Sequence, residues 1–157
     1  MISLAFFKQE DFSEVNYTLD EVQQQFTATP EMALQRINER TDARAFAITI
    51  TEDEKPAGFF VLDFGDDKLD LTENKKAVLI RSLSVNPQFQ GKGIGKMAMQ
   101  IVDDFVRENF PDCDEIVLAV NQKNIPAYQI YLKTGYIYDG KTRIGRSGPQ
   151  YLMHKKL

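Results

Sequence analysis

Between residues 82 and 96 the chain passes from a strand pattern to a helical one across three glycines in alternate positions, Gly91, Gly93 and Gly95. Val78 to Val85 reads as a strand, Asn86-Pro87 ends it, and Gln90-Gly91-Lys92-Gly93-Ile94-Gly95-Lys96 leads straight into an amphipathic helix. The first turn of a helix holds backbone N–H groups without intrahelical acceptors, and the helix dipole adds partial positive charge to them. Glycines keep side chains away from those groups, and Lys92 and Lys96 add full charge beside them. The layout predicts a cradle for a phosphorylated ligand. A Gly-rich loop by itself is a weak signal, since a plain turn has the same composition. Two nucleotide-binding alternatives lack their partners. A Walker loop needs Ser or Thr after its lysine, where this chain has Lys96-Met97. A dinucleotide loop needs its third glycine one residue later and an acid closing the next strand, and that strand, Glu115 to Val120, closes on Asn121.

Within this stretch stand Leu83-Ser84-Val85-Asn86-Pro87 and then Gln90-Gly91-Lys92-Gly93-Ile94-Gly95; further on come Asn124, Ala127, Tyr131 and Gly135-Tyr136. In these two blocks, from about Ala45 to the C-terminus, the chain resembles the GNAT superfamily of N-acetyltransferases. The resemblance implies an α/β fold with a mixed, mostly antiparallel central sheet, splayed between its two central parallel strands and flanked by about four helices. It implies acetyl-CoA as cosubstrate, held by Leu83, Val85, Gln90, Gly91, Lys92, Gly93, Ile94, Gly95, Lys96 and Asn124, with no metal. It also matches Tyr131 to the family tyrosine whose hydroxyl lies near the CoA sulfur. A phenol with a pKa of about 10 stays protonated at neutral pH and can donate to a departing thiolate. Tyr128, on a different helical face, is its natural control.

A chain of 157 residues with 43% hydrophobic content has the length of one domain, residues 1–157, and can bury a substantial core. A net charge of −4 without a dense Lys/Arg run argues against nucleic acid as a partner and is compatible with cationic substrates. The one cysteine, Cys113, cannot close an internal disulfide and fits a reducing, cytoplasmic setting. Met1 to Phe7 is apolar but too short for a signal peptide or a membrane span.

Ser3 to Phe7 reads as the first strand, and Asp11 to about Arg40 as two helices joined near Ala28. The second helix starts on Thr29-Pro30-Glu31, an N-cap, a first-turn proline and an acid. By resemblance this pair walls the acceptor site, with Tyr17, Phe26 and Thr27 as contacts; core packing is the other reading of Tyr17 and Phe26. Ala45–Thr51 and Pro56–Phe64 form a hairpin, and residues 65–76 a polar connection. Its acids, with Asp63, either face an amine substrate or form a solvated surface. The helix after the glycine loop buries Ala98, Ile101, Val102, Phe105 and Val106 and turns Asp103 and Asp104 to solvent. Glu115 to Val120 is a doubly buried strand parallel to Val78–Val85. Asn124-Ile125-Pro126 opens another helix, and Tyr136–Tyr138 and Gln150–Lys155 are the last strands, separated by a basic turn over residues 140–148. His154, near the end among lysines, is set aside as non-catalytic.

The acceptor of such a transfer is an amine, which must lose its proton before attack. Polyamine-acetylating relatives carry a carboxylate two residues before the position of Leu83; here that residue is Arg81. Glu73, Asp70 and a water held by Ser82 or Ser84 are unranked alternatives for the base. The expected activity is direct acetyl transfer to a small-molecule amine. A peptide or protein N-terminus and a non-catalytic acetyl-CoA sensor are the competing readings. Homodimers occur in the family, and no seam is visible in the sequence.

Overall fold

The computed structural model describes residues 1–157. Seven strands form one sheet: β1 (Ile2–Phe6), β2 (Ala45–Glu52), β3 (Lys55–Asp63), β4 (Ala77–Val85), β5 (Glu115–Asn121), β6 (Ile137–Gly145) and β7 (Gly148–Lys156), in the order β1-β2-β3-β4-β5-β7-β6. Only β4 and β5 are parallel, joined by the long helix α4 (Ile94–Asn109) as crossover; every other pairing is antiparallel. Helices α1 (Phe12–Val15), α2 (Glu21–Phe26), α3 (Pro30–Glu39) and α5 (Ile125–Lys133) complete the mixed α/β architecture.

Both faces of the centre are covered, which is why β4 and β5 carry near-continuous apolar runs. On one face, Ala98, Met99, Val102 and Val106 of α4 pack with Val78 and Ile80 of β4 and Ile116 and Leu118 of β5. On the other, Ala33 of α3 sits with Phe59 and Val61, and Leu71 packs on Ala77, Leu79 and Val117. Each fully buried Leu, Ile, Val or Phe side chain contributes about 1.5–3 kcal/mol relative to exposure.

The sheet opens at its centre. β4 pairs with β5 only from Ala77↔Glu115 to Leu79↔Val117, while β5 continues along β7 as far as Asn121 and β4 along β3 as far as Val85. Just past the last β4–β5 pair, Ser82 and Leu83 together oppose Phe60, a bulge with Ser82 in the left-handed region at φ +59°. A bulge bends its strand, so β4 turns away from β5 where the parallel ladder stops.

Three expectations need correction. The helical stretch from Asp11 breaks a second time over residues 16–20. The Asp20 carboxylate accepts the Gln23 N–H at 2.8 Å and starts α2 afresh, and Leu19 is buried from the connecting loop rather than from a helix face. The basic turn predicted over residues 140–148 shrinks to the link between Gly145 and Gly148, because Lys141-Thr142-Arg143-Ile144 belongs to an edge strand with no buried face to impose an alternating pattern. Asp103 does not face solvent: its carboxylate meets Lys155 Nζ at 2.6 Å, with both side chains under a fifth exposed. Asp104 does, pairing with Arg107 one turn on.

Lys155 also donates to the Thr134 carbonyl at 2.6 Å, so the pair ties α4, the end of α5 and β7 together. Removing one member of such a pair strands the other charge in a poorly hydrated place. Asp103→Ala is expected to lower the unfolding free energy by about 3 kcal/mol in urea titrations, against under about 0.5 kcal/mol for Asp104→Ala; equal small effects would contradict this.

Candidate active site

The gap between β4 and β5 is a cleft of about 560 Å³, walled by α2, β4, the glycine loop with the start of α4, the end of β5, and α5. Its floor is the glycine loop. Gly91 and Gly93 lie at φ +81° and +75°, and a Cβ added to either would meet nothing within 4 Å, so the space above the loop is open. A side chain is excluded there by conformation rather than by packing. Gly93 is the N-cap of α4 and offers no side-chain cap, and the backbone N–H groups of residues 91 to 96 have no acceptor within the protein. Six donors at the positive end of a sixteen-residue helix make a concave site suited to an anion. Lys96 lines the cleft beside them, whereas Lys92 is outside the lining, its ammonium 5.3 Å over the Phe89 ring. Ile94 buries its side chain in the core, leaving only its backbone for a ligand.

Leu83 and Val85 line the cleft from β4. The Asn86 N–H turns to β3 and meets the Ala57 carbonyl at 2.8 Å, whereas both polar groups of Val85 face the gap. The Val85 carbonyl accepts from Gln23 Nε2 at 3.2 Å and from Gln90 Nε2 at 3.3 Å, and its N–H donates to Gln23 Oε1 at 3.4 Å. Gln23 went unnoticed in the sequence, where a glutamine among Gln23-Gln24-Gln25 carries no mark of what it touches.

Asn124 caps α5, its side-chain oxygen accepting the Ala127 N–H at 3.4 Å, and lines the opposite wall. The same helix brings Tyr131 into the cleft. Burial pushes the Tyr131 phenol up to about 12, and no hydrogen bond offsets it. Tyr128 turns elsewhere, its ring 4.8 Å from Tyr151 and 6.4 Å from Tyr138.

Phe26, Thr27, Arg81, Ser82 and Ala119 line the cleft as well, and Tyr17 does not. The Tyr17 hydroxyl is shared with Ser84 Oγ at 2.8 Å, which anchors the α1–α2 link on β4 and occupies the Ser84 hydroxyl. Asp63 is sealed at 1% exposure. Arg40 binds both its oxygens at 2.7 and 3.1 Å, Arg81 reaches it at 3.2 Å and the Gly65 N–H at 2.8 Å. Burial alone would raise its pKa; Arg40, Gly65 and Arg81 outweigh that and hold the carboxyl below its ordinary value. Asp63 is thus committed to two arginines and presents no charge to a ligand. Of the polar connection, Asp67 pairs with Arg81 at 2.8 Å and Asp70 lies 3.9 Å from Arg143, both acids largely exposed. Glu73 is outside the cleft lining. Also outside it, His154 lies between Glu115 at 3.6 Å and Asp139 at 3.4 Å. Cys113 is buried, and burial raises its thiol. No helix is long and apolar enough to cross a membrane.

Comparison with known proteins bears on the family and the fold. Residues 10–136 match the model of the acetyltransferase (GNAT) family. YbbJ of Bacillus subtilis (strain 168), an uncharacterized N-acetyltransferase, is 38% identical over 155 residues, covering 98% of this chain and 96% of its own. The aminoglycoside acetyltransferase AAC(6')-Ib in complex with coenzyme A and kanamycin has the same fold, with a TM-score of 0.76 at 17% identity over 99% of this chain and 95% of that one. So does the spermidine N-acetyltransferase of Vibrio cholerae in complex with CoA and spermine, with a TM-score of 0.71 at 14% identity over 99% and 95%. A family model spanning most of the chain, and a relative matched along nearly all of both sequences, establish that this chain belongs to the GNAT acetyltransferase family.

Proposed function

We propose that the chain transfers the acetyl group of acetyl-CoA directly to the amine of a small molecule. The observation that carries this reading is the row of unpaired N–H groups over residues 91–96, opening into one cleft with the free edge of β4 and with Tyr131. Acetyl-CoA supplies an activated thioester and a pyrophosphate. In this reading the backbone of Gly91 to Lys96, with the Lys92 and Lys96 charges, takes the pyrophosphate. Leu83 and Val85 hydrogen-bond the arm and polarise the acetyl oxygen from β4, while Asn124 contacts the arm from α5. Tyr131 gives its proton to the sulfur as the C–S bond breaks, and the acceptor nitrogen, on forming the C–N bond, releases a proton to solvent, from which the phenolate regains its own. Both solved neighbours described above were captured with amine ligands, kanamycin and spermine, which supports an amine acceptor here.

Asp20, which caps α2, is the only carboxylate lining the cleft. We therefore assign deprotonation of the acceptor to solvent: the proton leaves the ammonium before attack, and proximity supplies much of the remaining acceleration. The rate then follows the neutral fraction of the amine, whose pKa is about 10 for a primary alkylamine. Tyr131, at about 12, keeps its proton throughout that climb.

Release of free CoA thiol across polyamines, amino acids, aminoglycosides and short peptides tests the function. Turnover with a small amine is expected. Turnover with peptides alone would replace the acceptor class, and tight acetyl-CoA binding without any turnover would mark a sensor.

With an active amine in hand, log kcat/KM is expected to rise with unit slope toward the amine pKa, with no falling limb below about pH 11. A plateau near pH 7 would reveal a protein base instead. Tyr131→Phe is expected to lower kcat by about 10²–10³-fold with acetyl-CoA affinity unchanged, and Tyr128→Phe to leave kcat within about twofold. Equal loss of affinity and rate in Tyr131→Phe would remove it as the acid.

A further inference from the structure

An unpaired strand edge inside a cleft leaves polar groups that have to be satisfied before a ligand arrives. At Val85 the N–H is met by Gln23 alone, and the carbonyl by Gln23 together with Gln90 at 3.3 Å. Gln23 presents an N–H donor and a C=O acceptor from a single planar amide, and uses them on the carbonyl and N–H of the same residue, as a neighbouring strand would. Contacts of 3.2 and 3.4 Å are long for amide hydrogen bonds and correspondingly easy to exchange. The arm of acetyl-CoA also carries secondary amides.

We propose that Gln23 is a positioning residue that holds the free edge of β4 in the unliganded protein, and that the arm of acetyl-CoA displaces it. This rests on acetyl-CoA lying along β4 as proposed above. The consequence lies in what else α2 carries. Phe26, its last residue, and Thr27 beside it line the cleft, so displacement of Gln23 acts on the acceptor wall. The helix is not set loose. The Ser147 hydroxyl donates to the Gln25 carbonyl at 2.5 Å. Tyr17 stays on Ser84 at 2.8 Å. The element therefore pivots between fixed anchors on both sides of the gap, and the exchangeable contact is the one the cosubstrate meets.

The test is calorimetric titration of acetyl-CoA into the full chain and its Gln23→Leu variant, which keeps the bulk and loses both polar groups. Leucine frees the Val85 N–H and leaves Gln90 alone on the carbonyl, so affinity is expected to tighten about three- to tenfold. Gln23→Asn, too short to reach both groups, is expected to shift in the same direction. Gln24→Leu, whose native side chain bonds the Leu19 carbonyl, is expected to leave affinity unchanged. Amide exchange at Val85 is expected to be faster in unliganded Gln23→Leu than in the native protein, and equal in the two once acetyl-CoA is bound. Equal or weaker affinity in Gln23→Leu, with the native protein binding, overturns the displacement and leaves the cofactor reading intact. No binding by either protein overturns both.

Discussion

Everything in this molecule that bears on chemistry depends on where the ladder between β4 and β5 stops. Parallel strands in the middle of a sheet normally pair along their length, because an unpaired N–H or carbonyl in a dry place costs as much as a lost hydrogen bond. Here three residue pairs hold, from Ala77↔Glu115 to Leu79↔Val117, and the strands then part. The outer pairings keep both strands straight enough to remain in the sheet: β4 along β3 to Val85 and β5 along β7 to Asn121. The gap is therefore a built feature, held open by its neighbours and bent by the bulge at Ser82. A side chain in the left-handed conformation costs about 1 kcal/mol or more, and the packing of Phe59, Phe60 and Val61 opposite keeps it in place.

Two sets of unsatisfied backbone groups converge on that gap, one from the edge of β4 and one from the start of α4. Their convergence follows from chain order, since β4 ends at Val85 and α4 begins only nine residues later, at Ile94. The charges around the gap are mostly spent on structure. Asp63 is held by Arg40 and Arg81, so the deepest carboxylate on that side pins the end of α3 to β3 and β4. Arg81 also holds Asp67. What is left lining the cleft is largely backbone, the buried Tyr131 phenol and Lys96. That inventory suits a phosphorylated donor and a leaving group in need of a proton, and it contains no strong base.

The parts of this arrangement that were legible in the sequence are local. Strand, glycine loop and helix follow one another within thirty-odd residues, and hydrophobic period, breaker and cap signals all operate over such distances. The helix that carries Asn124, Pro126 and Tyr131 was readable for the same reason, being opened by its own cap, whereas Asn124 and Tyr131 were singled out by the family resemblance. What escaped depends on partners far along the chain. Asp103 reads as solvent-facing beside Asp104 until Lys155, fifty-two residues on, folds back to meet it. The length of β6 was hidden because an exposed edge strand has no buried face to give it a period. Gln23 lies sixty-two residues from Val85, and the contact exists only because β4 leaves that backbone open. The helix break at residues 16–20 was marked by Asp20, a cap legible in principle but masked by Leu19 and Val22, which fit one helical face.

The open backbone of residues 91–96 and the free edge of β4 are expected to act as one site for one ligand. Amide chemical-shift mapping by NMR during titration with acetyl-CoA tests it most directly, since each N–H reports for itself. The largest changes are expected at Gly91, Gly93, Gly95 and Lys96 together with Val85, all following one binding curve. Changes centred on other elements, or glycine-loop and Val85 amides that saturate at different concentrations, would contradict it.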